Sequence, residues 1–359
     1  MTTRTQAFDE VKAEAFAEEM LGILNKGSLA VLTSVGHRTG LFDTLAGLDP
    51  STSEEIARAA GLNERYVREW LGGMVVGRII DYDPKAKTYK LPAEHAAFLT
   101  RDAAPNNVAA FAQYITLAGT VEDRIVECFK HGGGVPYSEF PRFQEVMAED
   151  SGQTVVPVLV DHILALAPGL VDRLERGIDV LDVGSGSGKA LNIMAARFPN
   201  SRFTGIEISE EGIAAGRREA EERGLNNLIF EIRDAADIGA REAYDLITTF
   251  DAIHDQVAPD KVLRGIAEAL RPGGVYLMQD IGASSHLENN LDHPMGALLY
   301  AVSTFHCMTV SLAGGGAGLG TMWGREKARE MLAEAGFTDV KIRQLEHDVQ
   351  NDYYVIQKD

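Results

Sequence analysis

Cysteine is nearly absent: Cys128 and Cys307 are the only two in 359 residues, too few and too far apart for a disulfide framework or a zinc cluster. Both read as reduced, structural thiols. Long apolar runs are missing as well. The longest span only a few residues, far short of the roughly 20 that a bilayer-crossing helix needs, so no membrane segment is expected. The first residues, MTTRTQAFDEVKAEAFAEEM, mix acids and bases around no apolar centre and read as a surface helix rather than a signal peptide, which makes cytoplasmic residence the expectation. Positive charge is scarce too. With 34 Lys and Arg against 53 Asp and Glu, the net charge is −19, and such a chain repels phosphate backbones and anionic lipid surfaces. Neither nucleic acid nor membrane is an expected partner. The nine histidines show neither HExxH spacing nor pairing with the cysteines, so no metal site is expected.

What is present is a globular composition, 45% apolar and 24% charged, in a chain long enough for two domains. Residues 1–150 read as mainly helical with one hairpin, and 151–359 as an α/β domain in which short β-branched runs alternate with amphipathic helices. In the front part, Thr52 and Glu55 form a capping box ahead of Ile56–Ala60, Gly61 breaks the chain, and Asn63 caps a second helix with Tyr66, Val67, Trp70, Leu71 and Met74 on one face. Two short strands, Ile79–Tyr82 and Thr88–Leu91, follow around Asp83-Pro84-Lys85. This is a winged-helix pattern. A DNA-reading module should be visibly basic, yet between Ser28 and Thr100 there are 8 Lys and Arg against 9 Asp and Glu. Packing or dimerisation through the apolar helices is the expected role. The loop His131-Gly-Gly-Gly-Val-Pro-Tyr137 has the backbone freedom of a hinge, a close ligand approach or a plain connector.

The strand Ile178–Val183 runs directly into Gly184-Ser-Gly-Ser-Gly188, and a helix, Lys189–Phe198, follows. Glycines there allow a sharp turn and let a ligand approach amides at a helix N-terminus, where the macrodipole favours negative charge. A dinucleotide site would read GxGxxG, whereas this turn reads D-x-G-x-G-x-G from Asp182, so NAD and S-adenosylmethionine both stay open at this point, with the spacing favouring the second. With adenosylmethionine, loop amides would take the carboxylate and Asp182 would attract the ammonium. The next strand, Arg202–Ile208, ends at Glu207, 23 residues after Gly184 and suited to the ribose hydroxyls. A third, Leu228–Ile232, ends at Arg233-Asp234-Ala235, where Asp234 can accept from the adenine amino group. Three acids closing three successive strands mark the carboxyl edge of a sheet, where open α/β folds gather ligands.

Val180–Gly188, Phe203–Ser209, Arg233–Ala235 and Arg271-Pro-Gly-Gly274 resemble the successive motifs of class I adenosylmethionine-dependent methyltransferases. The winged-helix front end extends the resemblance to plant small-molecule O-methyltransferases. The His-Asp-Gln after strand four and the late HCM…GLGTMWG stretch extend it to mycobacterial and actinobacterial winged-helix methyltransferases. The resemblance implies a Rossmann-like seven-stranded sheet with its last strand antiparallel, Val340–Glu346 and Tyr353–Gln357 forming the final hairpin. It implies cofactor contacts from Asp182, Gly184, Ser185, Gly186, Glu207, Ile208, Asp234, Ala235 and Phe250, and acceptor contacts from Phe143, Met147 and His306.

The strand Tyr244–Phe250 leads into Asp251-Ala-Ile-His-Asp255. A neutral imidazole at His254 could remove a hydroxyl proton as the oxygen attacks the sulfonium methyl, and its ordinary pKa of about 6.5 suits that task. His254-Asp255 matches the His-Asp pair of the plant-type enzymes, although the tryptophan that follows it there is Gln256 here, and the acid that orients the histidine is not identifiable from the sequence. The expectation is a cytoplasmic, homodimeric small-molecule O-methyltransferase that uses His254 and Asp255. Its alternative is a winged-helix regulator whose methyltransferase-like domain senses a ligand.

Overall fold

A computed structural model of the chain describes residues 8–359. The first seven residues of the expected surface helix lie outside them. The chain divides into two compact units, after Thr116.

The first unit opens with a helix at Glu10–Thr39, its N-terminus capped by Asp9 and its end closed by Gly40 in a left-handed conformation. Both halves of the Thr52/Glu55 capping box form at the start of Ser53–Ala60, and the Asn63 side chain caps Glu64–Val76. The apolar positions of these helices close one core of Leu41, Phe42, Ile56, Val67, Trp70, Leu71 and Met74. Strands β1 (Asp81–Asp83) and β2 (Thr88–Lys90) form the antiparallel wing, its turn fixed by Asp83 Oδ1, which accepts from the Lys85 amide at 2.8 Å. On the second helix, Arg65 pairs with Glu69 and Arg68 with Glu64.

The second unit is built on seven strands: β3 (Asp179–Val183), β4 (Arg202–Glu207), β5 (Leu228–Ile232), β6 (Tyr244–Phe250), β7 (Leu270–Ile281), β8 (Val340–Arg343) and β9 (Asn351–Gln357). Their order is β5-β4-β3-β6-β7-β9-β8, and β9 runs antiparallel to both of its neighbours. Covered on both faces, the central strands carry near-continuous apolar runs. Leu246 and Leu277 face a layer with Leu191, Phe198 and Phe203, while Ile247 and Met278 face Val262, Leu263 and Ile266. The sheet therefore has the expected architecture. Helices Glu122–His131 and Phe143–Thr154, placed by composition at the end of the front domain, belong to this unit, because Leu117, Val121, Ile125 and Phe140 pack with Val310, Phe143 and Phe305.

One helical run, Gly296–Ala313, is long and apolar enough by composition to cross a membrane. Leu299, Cys307, Thr309, Val310 and Ser311 along it are buried, and a π-type turn at Ser303–Cys307 interrupts it. Strand order reverses between β3 and β6, which opens a crevice at their carboxyl ends, the usual ligand position in such sheets.

Candidate active site

The crevice is walled on one side by the glycine turn. Gly184, Gly186 and Gly188 have φ of 72°, 52° and 68°. At Gly184 a Cβ would stand 2.7 Å from Ala252 Cβ, and at Gly188 one would enter the Phe230 ring, so neither position accepts a side chain. The amides of Gly184 and Ser185 donate to Ile206 O, that of Gly188 to Ser185 O, and that of Gly186 to Glu207 Oε2 at 3.0 Å. These amides are taken up within the turn and by β4, whereas the sequence assigned loop amides to a ligand carboxylate. The Ser185 hydroxyl, buried and unpartnered, and the first turn of the helix Lys189–Arg197 remain for an anionic group.

Glu207 is held by two backbone donors, Gly186 and Ser209, one on each oxygen, which leaves lone pairs for a diol. Ile208 beside it is exposed and Ala235 buried. Asp234 Oδ1 accepts from the Ala236 amide at 2.8 Å, an Asx turn that orients the carboxylate at the end of β5. Phe250 packs at the edge of the core. Asp182 is only 3% exposed and accepts from Thr248 Oγ1 at 2.7 Å, while burial, with the Glu207 charge adding to it, lifts its carboxyl to about 7.

Beyond β6 the loop brings His254 to 2% exposure, with Nδ1 2.8 Å from Asp280 Oδ1. Asp280, fully buried at the end of β7, receives three donors on that one oxygen: His254 Nδ1, Trp323 Nε1 at 3.0 Å and the Ile281 amide at 2.8 Å. A carboxylate only accepts, so Nδ1 carries a proton directed at Asp280. Burial alone would lower the His254 pKa; the Asp280 charge and the Cys307 sulfur on the ring raise it well above 6.5. The late segment closes over the pair, with the Gly320 amide donating to His254 O at 3.0 Å.

Asp255 does not hold the imidazole. Its Oδ2 accepts from the Tyr137 hydroxyl, and burial pushes its carboxyl up to about 6. An aromatic wall stands beside the pair. His306 stacks on Phe143 with ring centroids 3.9 Å apart and 11° between planes, and Phe140 and Tyr137 meet it edge-on. Buried and next to His254, His306 is held neutral, its pKa pushed down to about 3, and its Nε2 has no partner. Met147 is half-buried one turn along from Phe143.

Comparison with known proteins fits this geometry. A methyltransferase domain model matches residues 174–336, and an Rv2258c-like winged HTH domain model matches 27–101. Residues 174–336 of the sheet-bearing unit thus match a methyltransferase domain. The ubiquinone biosynthesis O-methyltransferase of Aeromonas salmonicida is 31% identical over 141 residues, 35% of this chain and 56% of that one. The chain spans about half the length of such curated relatives. Among solved structures, the mitomycin 7-O-methyltransferase MmcR superposes with a TM-score of 0.69 at 18% identity, over 97% of this chain and 99% of that one. Human N-acetylserotonin methyltransferase in complex with SAM does so with 0.68 at 16%, over 100% and 99%. At these identities the likeness is one of fold.

Within the methyltransferase domain, the residues singled out from the sequence gather at one sheet edge, Asp182, Glu207 and Asp234 near the turn and His254 beyond β6. Sequence reasoning missed Asp280 and Phe140, and singled out the segments of Tyr137 and Trp323 without their partners Asp255 and Asp280. Asp280 had one visible signal: it is one more acid at the end of a strand, after Asp182, Glu207 and Asp234.

Proposed function

We propose that this chain is a cytoplasmic S-adenosylmethionine-dependent methyltransferase that methylates a hydroxyl group of a small molecule, with His254 as general base. The observation that carries the reading is the buried His254–Asp280 pair at the same crevice as the Gly184 turn. Bound there, S-adenosylmethionine supplies a methyl group on a positively charged sulfur. Asp182, Gly184, Ser185, Gly186, Glu207, Ile208, Asp234, Ala235 and Phe250 hold it, Glu207 taking the ribose and Asp234 the adenine amino group. Phe143, Met147 and His306 align the acceptor, while the neutral imidazole of His254 accepts the hydroxyl proton at Nε2 as the oxygen takes the methyl. Asp280 keeps the ring oriented and stabilises the imidazolium that forms, and Asp255, fixed by Tyr137, shapes the adjoining wall. Both cysteines are free thiols, in keeping with a reducing compartment.

Isothermal titration tests the cofactor half. Adenosylmethionine and its demethylated product are expected to bind and NADH not to; Glu207→Ala should weaken both nucleosides about 10–100-fold, the value of hydrogen bonds to a charged acceptor. NADH binding in their place overturns the reading.

The assembly we propose is a homodimer through the front unit. Phe16, Met20, Ile23, Leu24, Val31 and Val35 form one exposed apolar face of the helix Glu10–Thr39. Sedimentation should give a dimer mass that Leu24→Asp reduces to a monomer; a monomeric parent chain refutes it. A DNA-reading regulator is the competing reading, and the arginines of the second winged-helix helix, neutralised by their own glutamates, speak against it.

A further inference from the structure

Asp251, the first residue beyond β6, plays no part in the scheme above, yet it is the most unusual residue of the crevice. It holds a left-handed backbone, φ 51°, a strained state that side-chain-bearing residues keep only where the surroundings impose it. Its amide donates to Gln279 O, and its Oδ2 accepts from Gln279 Nε2 at 3.0 Å. Its Oδ1 is buried without a partner. So is Oε1 of Gln279, a residue 1% exposed whose amide nitrogen already lies on the Asp251 carboxylate. So is Oδ2 of the fully buried Asp280, whose carboxylate approaches that of Asp251 within 4.8 Å.

Three buried oxygens that only accept, gathered around two carboxylates, call for a cation with several hydrogens to donate. A primary ammonium has three. The position indicates whose. Ala252, next in the chain, stands against Gly184 of the cofactor turn, the turn whose Ser185 hydroxyl is left for an anionic group, so Asp251 borders that part of the crevice. An amino acid's carboxylate and ammonium are one carbon apart. Asp182, the carboxylate the sequence suggested for the ammonium, has Oδ1 taken by Thr248.

Resting on the methyltransferase reading, we propose that the ammonium of the cofactor's methionyl arm is received by Asp251, with Gln279 and Asp280 completing its hydrogen bonds. The charges around it agree. Withdrawal from solvent raises the Asp251 carboxyl well above its ordinary range, as do the charges of Asp280 on β7, Asp348 in the β8–β9 turn and Asp150 on the helix Phe143–Thr154, with His254 alone opposing them. An arriving ammonium opposes that rise, so arm binding favours the ionised Asp251 carboxylate.

Calorimetry in EDTA with S-adenosylhomocysteine and with methylthioadenosine, which lacks the amino-acid arm, tests this. Asp251→Asn is expected to weaken S-adenosylhomocysteine about 10–100-fold, as for a lost charge-assisted hydrogen bond, and to leave methylthioadenosine within about twofold. Retained methylthioadenosine affinity also reports an intact fold. The pH dependence of S-adenosylhomocysteine affinity should carry a component, from the ionisation that arm binding favours, that Asp251→Asn removes. Equal losses for both ligands, an unchanged S-adenosylhomocysteine affinity, a selective loss in Asp182→Asn but not in Asp251→Asn, or binding that requires added Mg²⁺ or Ca²⁺ each overturns the assignment. A parent protein that binds neither ligand overturns the methyltransferase reading itself.

Discussion

His254→Ala should lower kcat by about 10²–10⁴-fold, the usual worth of a positioned base, while leaving the cofactor's Kd within about twofold. The split follows from where the side chain stands. His254 reaches the crevice from the loop after β6, held by hydrogen bonds to Asp280 and Gly320 that lie outside the glycine turn. Turnover should not vanish, because alignment of acceptor and methyl donor can by itself supply about 7–11 kcal/mol in favourable cases. The pH profile carries a second signature. Burial lowers the pKa of His254 and the Asp280 charge more than offsets it, so the neutral base form appears at higher pH than for a free imidazole. Accordingly kcat/KM should climb with pH above the ordinary imidazole range of about 6.5, and His254→Ala should flatten that limb. Stability runs the other way. The contribution of the charged His254–Asp280 pair is fully present below the unfolded pKa of about 6.5 and is lost as pH rises through the folded one. Single-turnover rates and thermal melts across pH measure the two, and an unchanged kcat in His254→Ala would remove the residue from the mechanism.

Which parts of this site were legible in the sequence follows from how far apart their components lie. The glycine turn, the Thr52/Glu55 capping box and the acids closing β3, β4 and β5 are local patterns, written within a few residues and carried intact into the fold. The partner of His254 is not local. Asp280 lies 26 residues away, brought in by the parallel pairing of β6 with β7, where Phe250 stands opposite Gln279. Only that register puts the residue after Gln279 beside a loop four residues past Phe250. Tyr137 reaches Asp255 across 118 residues, and Trp323 reaches Asp280 across 43. The GLGTMWG stretch was legible as a motif of resemblance, but its hold on the His254–Asp280 pair through Gly320 and Trp323 depends on tertiary contacts no spacing reveals. The division between the units was misplaced for a similar reason: composition sees that Glu122–His131 and Phe143–Thr154 are helices, but not that they pack with Val310 and Phe305.

Asp280→Ala is expected to match the kinetic loss of His254→Ala, about 10²–10⁴-fold in kcat, and to add a destabilisation of roughly 3–9 kcal/mol that His254→Ala does not share. The difference arises because one carboxylate oxygen serves three donors. Removing it leaves His254 Nδ1, Trp323 Nε1 and the Ile281 amide buried without an acceptor, each costing about 1–3 kcal/mol where no water compensates. The imidazole, released from its orienting bond, also loses the fixed tautomer that keeps Nε2 free for the acceptor's proton. Asp280→Asn separates geometry from charge. All three donors converge on Oδ1 while Oδ2 has no partner, so an asparagine can keep its oxygen where the donors meet and place its amide nitrogen at the other position. Packing and tautomer then survive and only the negative charge is gone. Because that charge raises the His254 pKa against the effect of burial, the alkaline limb of kcat/KM should move to lower pH in Asp280→Asn, and the plateau rate should fall as the imidazolium loses its counter-charge. In His254→Ala/Asp280→Asn the second substitution should cost almost nothing more, since residues that act as a unit do not add. A pH profile left in place by Asp280→Asn would mean that orientation, and not charge, is what Asp280 gives to His254.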